Sequence, residues 1–118
     1  MARNDEAKIQ ASIVQWVRLV APNCLIYAIA NGGLRSKREA ALLKWTGVQA
    51  GVPDLAIVSD GRACCLEVKK GKSRLSEAQA SIIARLQEIG AGVAVVRSID
   101  DAREAFEAWG IESKEAKP

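Results

Sequence analysis

Residues 51–70 read Gly-Val-Pro-Asp-Leu-Ala-Ile-Val-Ser-Asp-Gly-Arg-Ala-Cys-Cys-Leu-Glu-Val-Lys-Lys. Two apolar runs of strand length, 55–58 and 63–70, flank Ser59-Asp60-Gly61. Asp-Gly between such runs is a strong hairpin signal, because both residues tolerate the positive φ that a tight hairpin turn needs. Asp54 opens the first strand, and Glu67 and Lys69 lie near the end of the second. Side chains alternate along a strand, so Glu67 and Lys69 share one face while Leu66 and Val68 point into the core. A charge within a buried strand is costly unless it is paired or bound to a metal. The hairpin is therefore where chemistry is expected.

Downstream of the hairpin, a helix is expected from Ser76 to about Ile89. Ser76 and Gln79 have capping-box spacing, Ala80, Ile82, Ile83, Leu86 and Ile89 form the apolar face, and Gly90 is the stop. Residues 92–97 form a short, nearly all-apolar strand of the kind buried on both faces. Ser98 caps a last helix over 99–109, and the charged tail from 110 to 118 is expected to fray. Upstream, Ser36 caps a helix over 37–45 that ends at Thr46-Gly47, and 48–52 is a loop. Residues 24–30 read as a strand followed by an Asn31-Gly32-Gly33 turn, whose glycines also permit close approach of a ligand. Over 5–20 the residues Ile9, Ile13, Val14, Trp16, Val17 and Val20 recur at helical spacing, and Ala21-Pro22-Asn23 stops that helix. Glu6 extends the buried stripe of this helix. It is either a first-turn acid favoured by the helix dipole or a functional carboxylate.

The order is helix, strand, helix, two hairpin strands, helix, strand, helix. This is an α/β domain with a small mixed β-sheet flanked by helices. The third and fourth strands are parallel and joined by a right-handed crossover. At 118 residues the chain is a single domain, 1–118, with its core over about 5–109.

Composition narrows the chemistry. There is no histidine, which excludes His-based acid–base catalysis and Cys/His zinc sites. Three cysteines, Cys24, Cys64 and Cys65, contain no CxxC and no even framework, which suits a reducing cytoplasm. Any metal must be held by oxygen, which points to Mg²⁺ or Mn²⁺. The N-terminus is polar, so no signal peptide is expected, and no apolar run approaches the ~20 residues of a membrane span. The net charge of +3 is mild, but its cations cluster on either side of the hairpin. Arg35, Lys37, Arg38 and Lys44 form one group, and Lys69, Lys70, Lys72 and Arg74 the other. They are either solvated surfaces or a track for phosphates.

If the hairpin register sets Asp54 beside Glu67, two carboxylates and an ammonium converge at one end of the sheet. Two adjacent carboxylates stay ionised together only around a cation. They would then hold Mg²⁺ with positions left for water and a substrate phosphate. Lys69 could position the attacking water or stabilise charge on the phosphorane. Phosphodiester hydrolysis suits that set. The plainer alternative is a surface salt bridge between Glu67 and Lys69 on an edge strand.

Pro53-Asp54 followed by Glu67-Val68-Lys69 resembles the PD-(D/E)XK nuclease superfamily. Glu6, Asn31-Gly32-Gly33, Gly47, Gly51-Val52-Pro53-Asp54, Glu67-Val68-Lys69, Ser76 and Gln79 together resemble its virus-type replication-repair nuclease (VRR-NUC) family over about 5–109. The resemblance implies a restriction-endonuclease-like core and Mg²⁺- or Mn²⁺-dependent DNA cleavage. Asp54 and Glu67 would be metal ligands, joined by the Val68 backbone carbonyl and by Glu6 at or near the metal. Lys69 would be the catalytic lysine and Gln79 a site residue, with its capping role still open. Asn31, Gly32, Gly33 and the basic residues Arg35, Lys37, Arg38, Lys44, Lys70, Lys72 and Arg74 are the expected DNA contacts. Stand-alone members of this size are similar to Holliday-junction resolvases of phages and prophages and tend to act as homodimers. A flap- or nick-directed repair or restriction-like nuclease, and a non-catalytic DNA-binding subunit that keeps the fold, are the alternatives.

Overall fold

Asp60 and Gly61 both have positive φ, 50° and 74°. That pair makes the tight two-residue turn whose twist matches the strands on either side. It pins Ser59 opposite Arg62, and the register then runs back to Leu55 opposite Leu66. The computed structural model in which this is seen describes residues 2–30 and 36–115. Its elements, in order, are α1 (Ala2–Val20), β1 (Leu25–Ala28), α2 (Lys37–Trp45), β2 (Leu55–Ser59), β3 (Arg62–Val68), α3 (Glu77–Glu88), β4 (Gly92–Val96) and α4 (Ile99–Trp109).

The four strands form one sheet in the order β1-β2-β3-β4. β1 and β2 are antiparallel, as are β2 and β3, and β3 and β4 are parallel. The mixed sheet expected from the sequence is thus present, and β3 is an inner strand. Ile26, Ile57 and Cys64 lie in one cross-strand row, and Leu55, Leu66 and Ala94 in the next. This face packs on Ile13, Val17 and Val20 of α1 and Ala102, Ala105 and Phe106 of α4. Phe106 centres the cluster, its ring 5.3 Å from that of Trp16 and 6.4 Å from that of Trp109. The opposite face carries Cys65 and Glu67, and α3 packs beside it against β4.

Four expectations are corrected. β4 lies at the sheet edge with only Val96 fully buried, rather than being buried on both faces. The chain beyond Gly110 is docked as far as Glu115 rather than frayed. Gly110 takes a left-handed C-cap (φ 71°) that turns the chain inward, and Ile111 is buried against the core. The Lys114 N–H donates to the Val20 carbonyl at 2.6 Å, and Glu115 joins Arg103 and the Trp16 indole. Along α3 only Ile83 is fully buried; Ala80 and Ile89 face solvent, because β4 reaches only one edge of that helix. β3 ends at Val68, so Lys69 and Lys70 lie just past the strand.

The loop over 48–52 is held by a close approach. Gly51 has φ +86°, and a Cβ there would lie 2.5 Å from the backbone of Ala78 in the first turn of α3. This contact brings the Pro53-Asp54 segment against the helix that carries Gln79. Gly51→Ala therefore meets both a steric and a conformational penalty, with an expected loss of about 2–4 kcal/mol. Gly90→Ala, at the same φ of +86° with nothing within 4 Å, is the control: it meets the backbone penalty alone and should cost only about 1–2 kcal/mol. Urea unfolding of the two variants measures the difference.

Candidate active site

Continuing the β2–β3 register one step past Leu55 and Leu66 places Asp54 opposite Glu67. The Asp54 carbonyl accepts from the Ile29 N–H at 2.8 Å, which ties the segment to the end of β1. Its Oδ2 accepts from the Val68 N–H, also at 2.8 Å. The aspartate is thus locked against the strand that carries Glu67.

Glu67 is only 2% exposed. Its Oε2 accepts from Gln79 Nε2 at 3.2 Å. Its Oε1 is buried and has no hydrogen-bond partner among the described residues. A buried carboxylate oxygen left without a donor is rare and costly in a folded protein. Burial, then the charge of the facing Asp54 carboxylate, push the Glu67 carboxyl up to about 8, with a further contribution from Glu6 and partial relief from Lys69. Without a cation, Glu67 holds its proton at neutral pH.

Lys69 is 9% exposed, and its Nζ donates to Gln79 Oε1 at 3.3 Å. The same Oε1 accepts from the Ser76 N–H at 2.8 Å, completing a capping box in which Ser76 Oγ accepts from the Gln79 N–H. Gln79 therefore does two things with one amide. It closes the first turn of α3, and it bridges Lys69 to Glu67. The capping box expected at Ser76 and Gln79 is present, and the same amide lies between Lys69 and Glu67. Glu6 Oε2 accepts from the Lys70 N–H at 3.4 Å, so α1 delivers its carboxylate to the chain just beyond Lys69.

The surface salt-bridge alternative for Glu67 and Lys69 fails on two counts. β3 lies between β2 and β4. The ion pairs among the described residues join Arg85 to Glu88 and Arg103 to Asp100 and Glu115, not Glu67 to Lys69. Burial raises the Cys64 and Cys65 thiols as well, so neither is a ready thiolate nucleophile.

The donor set fits a hard divalent cation. It consists of two facing carboxylates, one with an orphaned oxygen, and no nitrogen or sulfur ligand. No three His, Cys, Asp or Glu side chains cluster into a full metal cage among the described residues. An ion here would keep much of its water, as Mg²⁺ does. Binding must displace the proton held by Glu67. Below pH 8 the apparent affinity for Mn²⁺ should therefore rise with pH, with one proton released, and level off above about 8. Calorimetry in buffers of different ionisation enthalpy measures that proton.

Of the expected DNA contacts, Lys37, Arg38 and Lys44 are exposed on α2, and Lys72 and Arg74 are exposed in the loop that follows Lys69. Lys70 is half-buried in that loop. Asn31, Gly32, Gly33 and Arg35 lie outside the described residues. One residue that sequence reasoning missed is Arg97, directly after β4. Its Nη1 donates to the Gly71 carbonyl at 2.8 Å. The only signal was its place beside Lys69 in a parallel pairing, which needs the register to be known.

The VRR-NUC domain family model matches residues 3–100. The chain belongs to the VRR-NUC family. Two solved structures are similar to it. A VRR-NUC domain protein superposes with a TM-score of 0.68 at 25% identity, over 86% of this chain and 84% of that one. A VRR-NUC domain superposes with a TM-score of 0.64 at 20% identity, over 89% and 97%. No curated protein matches. VRR-NUC domains are nucleases of the PD-(D/E)XK type, which act on DNA and generally use divalent metal ions. Among the described residues, no helix of this VRR-NUC domain is long and apolar enough to cross a membrane.

Proposed function

We propose that this VRR-NUC domain is a Mg²⁺- or Mn²⁺-dependent endonuclease that cuts branched DNA, four-way junctions foremost, as a homodimer. The observation that carries the reading is the orphaned, buried Oε1 of Glu67 facing Asp54, with Lys69 held alongside by Gln79. Asp54, Glu67 and the Val68 carbonyl would hold the ion, with Glu6 beside them. A bound divalent cation neutralises charge developing on the phosphate and makes water a better nucleophile.

The chain's own groups do the rest. Gln79 presents Lys69 Nζ toward the carboxylates, so the ammonium can orient the attacking water or take up charge on a phosphate oxygen. The Val68 N–H keeps Asp54 in one orientation. Lys37, Arg38 and Lys44 on one side and Lys70, Lys72 and Arg74 on the other would follow the phosphate backbone, so binding should weaken steeply with salt.

The homodimer is supported by where apolar surface is left over. Leu25, Tyr27, Leu42, Trp45, Val48 and Val58, from β1 through α2 to β2, are six of the eight large apolar side chains exposed among the described residues. α2 buries none of its nine residues, and a helix that short is not stable in water alone. A two-fold pairing that covers these side chains would supply the two cuts a symmetric junction needs.

The test is cleavage of four-way junction, flap, nicked and linear duplex DNA in Mg²⁺ and Mn²⁺, with sedimentation of the free protein. Preferred paired cuts in the junction by a dimer are expected. Preference for flaps or nicks would replace the junction reading, and binding without cutting on every substrate would make the domain a DNA-binding subunit.

A further inference from the structure

The position of Lys69 depends on the chain immediately after it. β3 ends at Val68, and one more parallel hydrogen bond follows, from the Lys69 N–H to the Val96 carbonyl at 3.0 Å. The chain then turns at Gly71, which has φ +48°. The Lys70 carbonyl accepts from the Ser73 N–H at 3.0 Å and from Ser73 Oγ at 2.7 Å. Arg97 reaches the same turn from the next strand. Its Nη1 donates to the Gly71 carbonyl at 2.8 Å and to the Lys70 carbonyl at 3.4 Å. Arg97 is itself anchored, since its N–H donates to Asp101 Oδ2 at 2.8 Å in the first turn of α4. Ser98 caps that turn by accepting from the Asp101 N–H.

We propose that Arg97 is a positioning residue for the cleavage reaction: its guanidinium clamps the Lys70 and Gly71 carbonyls and so fixes Lys69. This rests on the nuclease reading above. One planar guanidinium nitrogen offers two N–H bonds in fixed directions, which suits two adjacent carbonyls. A lysine ammonium is a rotating point charge and would hold them less firmly. The clamp also links the site to α4, an element that contributes no group to it.

The test compares wild type, Arg97→Ala and Arg97→Lys, each also in a Lys69→Ala background. Arg97→Ala should slow single-turnover cleavage by about 10–100-fold, the scale of a small misplacement of a reacting group. Affinity for DNA and for Mn²⁺ should change by less than about twofold, which separates positioning from binding. Arg97→Lys should recover part of the rate. In the Lys69→Ala background the Arg97→Ala change should have no further effect, because the arginine acts through the lysine. Amide hydrogen exchange at residues 70–73 should speed up while that of α1 core amides does not change.

An unchanged rate in Arg97→Ala would overturn the proposal. So would a loss seen wholly as weaker DNA binding, or one that multiplies independently with Lys69→Ala. If wild type cuts no substrate, the nuclease reading fails and this role with it. Exchange at 70–73 still reports whether the clamp exists, which tells that failure from the failure of the clamp.

Discussion

Glu67→Gln should abolish cleavage and, in the absence of metal, should make the protein more stable at pH 8.5. The first effect follows from removing the carboxylate that faces Asp54, and a loss of at least about 10³-fold in rate is expected. The second follows from linkage. The carboxyl of Glu67 sits well above its ordinary value in the folded protein, at about 8. The folded state thus binds a proton that the unfolded chain has already lost. For such a group, stability falls as pH rises from the ordinary value near 4.5 toward 8, and then levels off. Glutamine carries no charge, so the variant escapes that decline. With the group 2% exposed, the gain at pH 8.5 should be on the order of 2 kcal/mol over wild type and vanish near pH 4.5. Urea unfolding in chelator at several pH values measures it, and comparing the two proteins cancels every other titrating group. A variant that cuts like wild type in Mg²⁺, or is less stable than wild type at pH 8.5, would contradict this assignment.

Lys69→Ala separates the cation from the chemistry. Cleavage should fall by about 10²–10³-fold, the usual effect of removing one donor aimed at developing charge. Mn²⁺ affinity should be kept or rise, because an ammonium near Glu67 repels a cation. Stability should change little. Gln79 Oε1 still accepts from the Ser76 N–H when Lys69 is gone, so the capping box survives. Calorimetric titration with Mn²⁺, set beside single-turnover cleavage, tests the pair of outcomes. Loss of metal binding would recast Lys69 as a structural residue.

Much of this site is legible in the sequence because one local feature sets a long-range geometry. A two-residue Asp60-Gly61 turn leaves little choice of register, and Leu55 opposite Leu66 brings Asp54 to Glu67. The capping signals at Ser36, Ser76 and Ser98 are local too, and each Ser side chain accepts from the N–H three residues on. Other features depend on partners far along the chain. Glu115 is held by Arg103 and by Trp16, which is 99 residues away, so composition alone reads the tail as loose. Arg97 matters only once β4 is known to lie beside β3. Ile89 completes an apolar stripe by spacing yet stays 65% exposed, since among the described residues no element covers that end of α3. Glu6 fits a helix-dipole role by position, and only its contact with the Lys70 N–H ties it to the site.

The central claim is that Asp54 and Glu67 share one divalent cation. An anomalous difference map from crystals grown or soaked in Mn²⁺ tests it most directly. One peak within coordination distance of both carboxylates, and missing from Glu67→Gln crystals, is expected. A peak elsewhere on the domain, or none with both carboxylates ordered, would contradict it.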